Sequence, residues 1–328
     1  MMESKSECIL SICIPTYNRA RFLVNSIESL YQQMDDELYR QVEVMVSNNC
    51  STDNTDAIVK EYIDKGMPIT YFENKVNIGA DGNFLQCIRY AKGKYVLLLG
   101  DDDLLLKGSV ATLANILSRD GYGLVYISGR PYAERTAAGP DIASVDLIGQ
   151  TYTNINRFLM MEHISITFIS GNIFNKTILP EFNFDAYRQS NLLQVPFFLH
   201  AACRAEKNLF LTERFIATGG DGDNNGGYGL FTVFGVNLFD IFYSFKEYGI
   251  TDDTIEYIAN RMLLQFLPEF ILISRKKRNF LAEPITVLEK YHRNNWRYRY
   301  VDYPLYTMPF FLAKMYFLVY KRIRKLLM

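Results

Sequence analysis

The sequence predicts an α/β protein: a mainly parallel sheet flanked by helices, with a helical C-terminal extension. Three observations predict it. Apolar runs of strand length alternate with segments of helical period across residues 8–130, the pattern of a parallel sheet covered by helices. An apolar strand, Tyr95-Val96-Leu97-Leu98-Leu99, runs through Gly100 into three consecutive acids, Asp101-Asp102-Asp103, and ligands of open α/β sheets bind at such strand ends. From about residue 229 onward the period becomes helical.

Each element has its own signal. Ile9 to Ile14 is a compact apolar run stopped by Pro15. Arg21 to Gln33 carries Phe22, Leu23, Ile27 and Leu30 at helical spacing. Val42 to Val46 reads as a strand, and Ser51-Thr52-Asp53 supplies capping residues for a second helix with Ile58, Val59 and Tyr62 inward. Ile69 to Phe72 is a third strand. Residues 80–91 form a third helix with Phe84, Leu85, Ile88 and Ala91 on one face, and strand 94–99 delivers the acids. A helix near 107–118 and a strand at 123–128 follow. Residues 131–150 read as an exposed loop, and 153–215 as short helices and strands. Gly219 to Gly227 is a glycine-rich, acidic loop, either a lid over a ligand or a plain connection. Domains are expected at 1–217 and 218–328.

Composition narrows the function. The 328 residues carry a formal net charge of -1, which gives no reason to expect nucleic acid. Cys8, Cys13, Cys50, Cys87 and Cys203 are scattered without a C-x-x-C pair, so zinc and disulfide frameworks are not expected and reduced thiols are. His163, His200 and His292 have no metal spacing. No signal-peptide pattern is visible, and no stretch reaches the roughly 20 apolar residues of a membrane span. The first strand is followed by neither G-x-G-x-x-G nor a P-loop.

Three adjacent like charges resist ionisation together. A hard divalent cation, Mn²⁺ or Mg²⁺, relieves that conflict and keeps positions open for phosphate. The alternative is a helix N-terminus, where Asp suits the dipole.

Four ordered segments over roughly 120 residues decide between these readings. They are Pro15-Thr16-Tyr17-Asn18-Arg19, Asn48-Asn49-Cys50-Ser51-Thr52-Asp53, Asn77-Ile78-Gly79 followed by Ala91-Lys92-Gly93-Lys94-Tyr95, and the acid triplet. Together they resemble the family 2 glycosyltransferases of the GT-A, Rossmann-like fold. The resemblance implies a metal-dependent glycosyltransferase of hexosyl type using a nucleotide-sugar donor. It places Pro15, Thr16, Tyr17, Asn18, Arg19, Asn48, Asn49, Asp53, Asn77, Gly79 and Asp101 at the nucleotide and Asp102 and Asp103 at the metal. Several of these positions keep a structural alternative: Tyr17 as a core aromatic, Asn77 and Gly79 as a simple turn, Asp53 as a helix cap. Asp101 contacts either ribose or a metal-bound water.

The chain departs from the family in three places. Asn48-Asn49 replaces an Asp pair. A carboxylate suits N3–H of uracil, whereas an amide carries donor and acceptor and can meet cytosine; this points to a CDP-sugar, unless Asn48 only fixes its loop. Gly100 stands at the first acid of the family's Asp-x-Asp-Asp. The family's catalytic acid, roughly 90 residues later, is missing from Gln189-Ser190-Asn191-Leu192-Leu193-Gln194-Val195-Pro196. The nearest upstream carboxylates, Asp185 and Glu181, are the candidates for it, or are structural.

Ser170-Gly171-Asn172-Ile173-Phe174 and Gln194-Val195-Pro196 add a similarity to bacterial O-antigen transferases of the abequosyltransferase type, which implies a dideoxyhexose donor and a polyprenyl-linked oligosaccharide acceptor. Pro309 to Tyr320 is aromatic and runs into Lys321-Arg322-Ile323-Arg324-Lys325, with Arg275 to Arg278 as a second basic patch. Such a segment fits either a helix lying on anionic lipid or a packed terminal helix. The expected location is cytoplasmic, peripheral on the inner membrane. Two other functions compete: nucleotidyl transfer onto a sugar phosphate, and a degenerate sugar-nucleotide or glycan-binding module.

Overall fold

The computed structural model describes residues 8–131, 149–181, 183–219, 229–277 and 283–327. Of the expected loop at 131–150, residues 132–148 lie outside them, as do Arg278 and the glycine-rich loop apart from Gly219, while Pro131 ends one strand and Gly149 and Gln150 open another. The chain divides into two compact units, Met1–Asp223 and Asn224–Met328.

The first unit is built on one mixed sheet. Strand β1 (Leu10–Thr16) is buried along its whole length, as a parallel strand covered on both faces must be. Helices α1 (Ala20–Tyr31) and α2 (Leu38–Gln41) lead to β2 (Val42–Asn48), and α3 (Thr55–Asp64) leads to β3 (Ile69–Glu73). Helix α4 (Gly79–Tyr90) leads to β4 (Tyr95–Leu98). These four strands are parallel in the order β3-β2-β1-β4, with Thr16 opposite Asn48.

After the acids come β5 (Leu104–Leu105), α5 (Ser109–Arg119), β6 (Leu124–Pro131), β7 (Gly149–Tyr152), α6 (Ile155–Glu162) and β8 (Asn172–Asn175). Helix α7 (Gln194–Arg204) and strand β9 (Asn208–Thr218) complete the unit. The sheet continues past β4 as β8-β6-β9-β5. Strand β8 is antiparallel to both its neighbours, β6 and β9 are parallel, and β5 and β7 pair antiparallel with β9. The expected α/β fold is therefore present, its parallel half standing at β1–β4.

Gly93 shows why the turn into β4 has no side chain: a Cβ would meet the Ser11 backbone nitrogen at 2.5 Å. Leu10, Ile12, Leu23, Ile27, Val44, Leu97 and Val110 share one buried core with Phe215 and Ile216 of β9.

The second unit is helical. Helices α8 (Leu230–Thr232) and α9 (Leu238–Ser244) join through a π turn at Val233–Asn237, and α10 (Asp252–Arg261) and α11 (Leu267–Lys277) through another at Met262–Phe266. Helix α12 (Glu289–His292) precedes a third π turn, Tyr298–Asp302, that enters α13 (Tyr303–Thr307), and α14 (Phe310–Leu327) ends the unit. Three such wide turns shift the apolar stripe, so the 3.6-residue period is interrupted although the segment is helical. Among the described residues no helix is long and apolar enough to cross a membrane.

Candidate active site

Strands β1, β2 and β4 run parallel, so the loops leaving Thr16, Asn48 and Leu98 emerge on one rim. Ligands of open α/β sheets bind at that rim.

The three acids are not equivalent. Asp101 is buried and accepts from Thr16 Oγ1 at 2.8 Å and Arg19 Nε at 2.7 Å. Burial pushes it up to about 6, against the pull of Arg19. Asp103 is also buried; its Oδ2 accepts from the Ser170 hydroxyl at 2.5 Å and its Oδ1 from Gly219 N–H at 2.9 Å. Burial pushes it up to about 7, against those two hydrogen bonds. Asp102 faces outward, its side chain 25% exposed, with Oδ2 held by Arg19 Nη2 at 2.7 Å. One guanidinium thus bridges two carboxylates. Burial works against the charge on Arg19, but the two acids outweigh it and raise its pKa.

Two glycines make the arrangement possible. A Cβ on Gly100 would stand 3.0 Å from Asp103 Oδ2, and its N–H donates to Ser170 Oγ at 2.8 Å. A Cβ on Gly219 would stand 2.6 Å from the Asp102 carbonyl oxygen and 2.8 Å from its carboxyl carbon.

Among the described residues no three acidic, histidine or cysteine side chains converge as a metal cage. The donor set fits a cation of another kind, one held by a single carboxylate, with phosphate and water completing its shell. Asp102 is the outward-facing carboxylate of the three. Asp103 was expected beside it; its two oxygens accept from the Ser170 hydroxyl and Gly219 N–H, which draws the carboxylate inward. Its place is inward, as an anchor of the loop.

The nucleotide-side residues are mostly braces. Asn18, with φ +53°, accepts from Thr52 N–H at 2.7 Å, and its own N–H donates to Ser51 Oγ at 2.9 Å. Asp53 accepts from Ala20 N–H at 2.9 Å and from Thr55 Oγ1 at 2.6 Å. Burial alone would raise it, but these bonds leave its pKa lowered. It serves the starts of α1 and α3 together, the capping alternative for this residue.

Asn48 is buried, accepts from Ser51 N–H at 2.9 Å and donates to Tyr71 Oη at 2.9 Å. Asn49 donates to Asn77 Oδ1 at 2.8 Å and accepts from Ile78 N–H at 3.0 Å and Asn74 at 3.1 Å. It holds the turn before α4, where Gly79 has φ +77°. Pro15 is buried, whereas Tyr17, Asn18, Asn77 and Gly79 are exposed at the rim.

Sequence reasoning gave no role to Ser170, Asn74 or Asn83, and read Gly219 only as the start of a loop, not as a partner of Asp103. Only the Ser170-Gly171-Asn172 similarity hinted at the first. Asp185 belongs to the short turn Phe184–Tyr187, and its side chain lies outside the described residues. Glu181 is exposed, and no hydrogen bond or ion pair among the described residues brings it to the triplet.

The family model for glycosyl transferase family 2 matches residues 11–177, just over half of the chain. Abequosyltransferase RfbV of Salmonella typhimurium is 36% identical over 123 residues, 37% of this chain and 36% of that protein. GalNAc(5)-diNAcBac-PP-undecaprenol beta-1,3-glucosyltransferase of Campylobacter jejuni is 33% identical over 118 residues, 36% of this chain and 37% of that protein. The chain therefore spans little more than a third of the length of these relatives.

Among solved structures, S. aureus TarS 1–349 in complex with UDP-GlcNAc superposes with a TM-score of 0.59 at 17% identity, over 87% of this chain and 92% of that one. Mannosyltransferase PcManGT from Pyrobaculum calidifontis, in complex with GDP-Man and Mn²⁺, gives 0.50 at 14% identity over 97% and 86%. Such identities speak for the fold alone, which is GT-A. The family match reaches from β1 through Ser170 and β8, so that, motif and rim together, the chain belongs to glycosyltransferase family 2.

Proposed function

We propose that this chain transfers a sugar from a nucleotide-sugar to a polyprenyl-linked oligosaccharide in bacterial surface-polysaccharide synthesis, with Mn²⁺ or Mg²⁺ held by Asp102. The observation that carries the reading is that Asp102 alone of the triplet faces outward, while Asp101 and Asp103 are tied inward. A divalent cation there would supply Lewis-acid neutralisation of the departing diphosphate.

The chain's own residues do the rest. Thr16 and Arg19 fix Asp101, Ser170 and Gly219 fix Asp103, and the acid loop needs no reorganisation when charge develops. The bond between the anomeric carbon and phosphate oxygen breaks, its electrons leave with the diphosphate, and the acceptor hydroxyl attacks. Its proton passes to a carboxylate, for which Asp185 and Glu181 stand as the proposed bases.

The donor reading extends to the base. Asn48 spends its oxygen on Ser51 N–H in its own loop and one amide hydrogen on Tyr71 of β3. An amide in place of the family's carboxylate no longer selects the N3–H of uracil, so a CDP-sugar is accepted. The relation to an abequosyltransferase supports a dideoxyhexose.

Calorimetry with CDP, UDP, GDP and dTDP, with and without Mn²⁺, tests this. The expected result is Mn²⁺-dependent binding of CDP; binding of no nucleotide would overturn the transferase reading, and clearly tighter UDP would overturn the CDP assignment.

The acceptor reading rests on α14. Phe311, Leu312, Met315, Leu318, Val319 and Ile323 are all at least half exposed along one face, while Ala313 is buried opposite. From Tyr303 to the end the sequence has no acid and carries Lys314, Lys321, Arg322, Arg324 and Lys325. An apolar face with basic flanks suits the surface of an anionic leaflet, here the cytoplasmic side of the inner membrane. Phe311→Ser with Leu318→Ser and Ile323→Ser is expected to leave the fold intact, because these side chains are at least half exposed. It should abolish co-sedimentation with phosphatidylglycerol vesicles; undiminished sedimentation would refute this face.

A further inference from the structure

Asp81 lies in the first turn of α4, just beyond the turn that Asn49 braces, on the same rim as the acids. It stays out of the asparagine network beside it. Its Oδ2 accepts the backbone N–H of Gln189 at 3.1 Å, from a residue 108 positions later. The backbone N–H groups of Asn191 and Leu193 lie near enough to draw its pKa down, while its buried Oδ1 has no hydrogen-bond partner among the described residues. Burial raises its pKa, and the three N–H groups partly offset that.

What Asp81 fastens is strained. Gln189 has φ +69° and Asn191 φ +56°, the left-handed region that a Cβ disfavours. Such backbone persists only where its surroundings over-determine it, and it gathers at ligand sites. The side chains of Gln189 and Asn191 are exposed, whereas Leu192 and Leu193 and then Gln194 through Ala202 are buried. A rigid, packed helix therefore carries a strained polar tip, and one carboxylate pins that tip to the rim.

We propose that the turn at 189–191 recognises carbohydrate, the amides of Gln189 and Asn191 exchanging hydrogen bonds with sugar hydroxyls, and that Asp81 is the positioning residue that holds them there. An amide offers a donor and an acceptor, as a hydroxyl does, and residues 189–191 themselves are uncharged. The assignment rests on the glycosyltransferase reading and extends it to the sugar.

Two kinds of measurement test it. Gln189→Gly with Asn191→Gly keeps the left-handed backbone accessible and deletes both amides. We expect unchanged thermal unfolding, unchanged nucleoside diphosphate binding and at least a tenfold loss of kcat/KM for transfer. A raised KM for the donor places the transferred sugar on the tip; a raised KM for the acceptor places the acceptor glycan there. Transfer at the wild-type level would overturn carbohydrate recognition.

Asp81→Ala, with Asp81→Asn in case the first does not fold, is followed by amide hydrogen exchange over 188–194. We expect at least tenfold faster exchange at residues 189, 191 and 193; unchanged exchange would overturn the clamp. Exchange is read without turnover. Wild-type protein that transfers no sugar would refute the transferase reading and leave the clamp to be decided by exchange alone.

Discussion

Asp102→Ala is expected to lower sugar transfer by about 10³-fold, the scale of removing a main electrostatic stabiliser from a reacting centre. The reason is geometric. Asp101 and Asp103 have their oxygens committed to Thr16, Arg19, Ser170 and Gly219, so neither can turn outward to replace Asp102 without leaving a buried donor unpaired. Stability should change little, because Asp102 is partly exposed and its one ion pair among the described residues is to an arginine that keeps Asp101. The measurement is turnover together with Mn²⁺ binding followed by electron paramagnetic resonance. Loss of both with an unchanged melting temperature is the expected outcome; retained Mn²⁺ binding would show that the cation is held elsewhere.

Arg19→Met has the second large effect, and it falls on stability as well. Arg19 is mostly buried and holds Asp101 and Asp102 at 2.7 Å each. Removing it leaves Asp101 enclosed beside a second carboxylate with its main counter-charge gone. Breaking a buried pair in this way costs about 3 kcal/mol, tempered because Asp101, already pushed up to about 6, can take a proton. Denaturant unfolding at pH 7 reads the loss. Arg19→Lys recovers only part of it, since a point ammonium cannot span two carboxylates as a planar fork does. If Arg19→Met were as stable as the parent, the bridge would contribute nothing to holding the loop.

The first four strands and their helices were legible because each announces itself locally. Apolar runs ending at Pro15, the Val42–Val46 run and the helical spacing of Phe22, Leu23, Ile27 and Leu30 all have near neighbours as evidence. The position of the acids after β4 was legible for the same reason. What escaped is what depends on distant partners. No local period shows that β8 returns antiparallel against β4, that Ser170 and Gly219 close on Asp103, or that Arg19 reaches across 82 positions to Asp101. Asn49 reads as a ligand contact by motif, yet spends its amide on Asn74, Asn77 and Ile78. In the second unit the three π turns blur the helical stripe, and the sequence conveys helix without its boundaries.

The closure of Asp103 by Ser170 and Gly219 has a consequence for synthesis. The ribosome delivers β1 through the acid loop more than a hundred residues before Gly219 emerges. Until β9 is inserted, Asp103 lacks one of its two donors and β6 lacks its parallel neighbour. Contacts of such long sequence separation form late and slow folding. A fragment ending at residue 177 would contain the four ordered motifs and still present an unfinished acid loop, so in the nascent chain that loop settles only after β9 has joined the sheet.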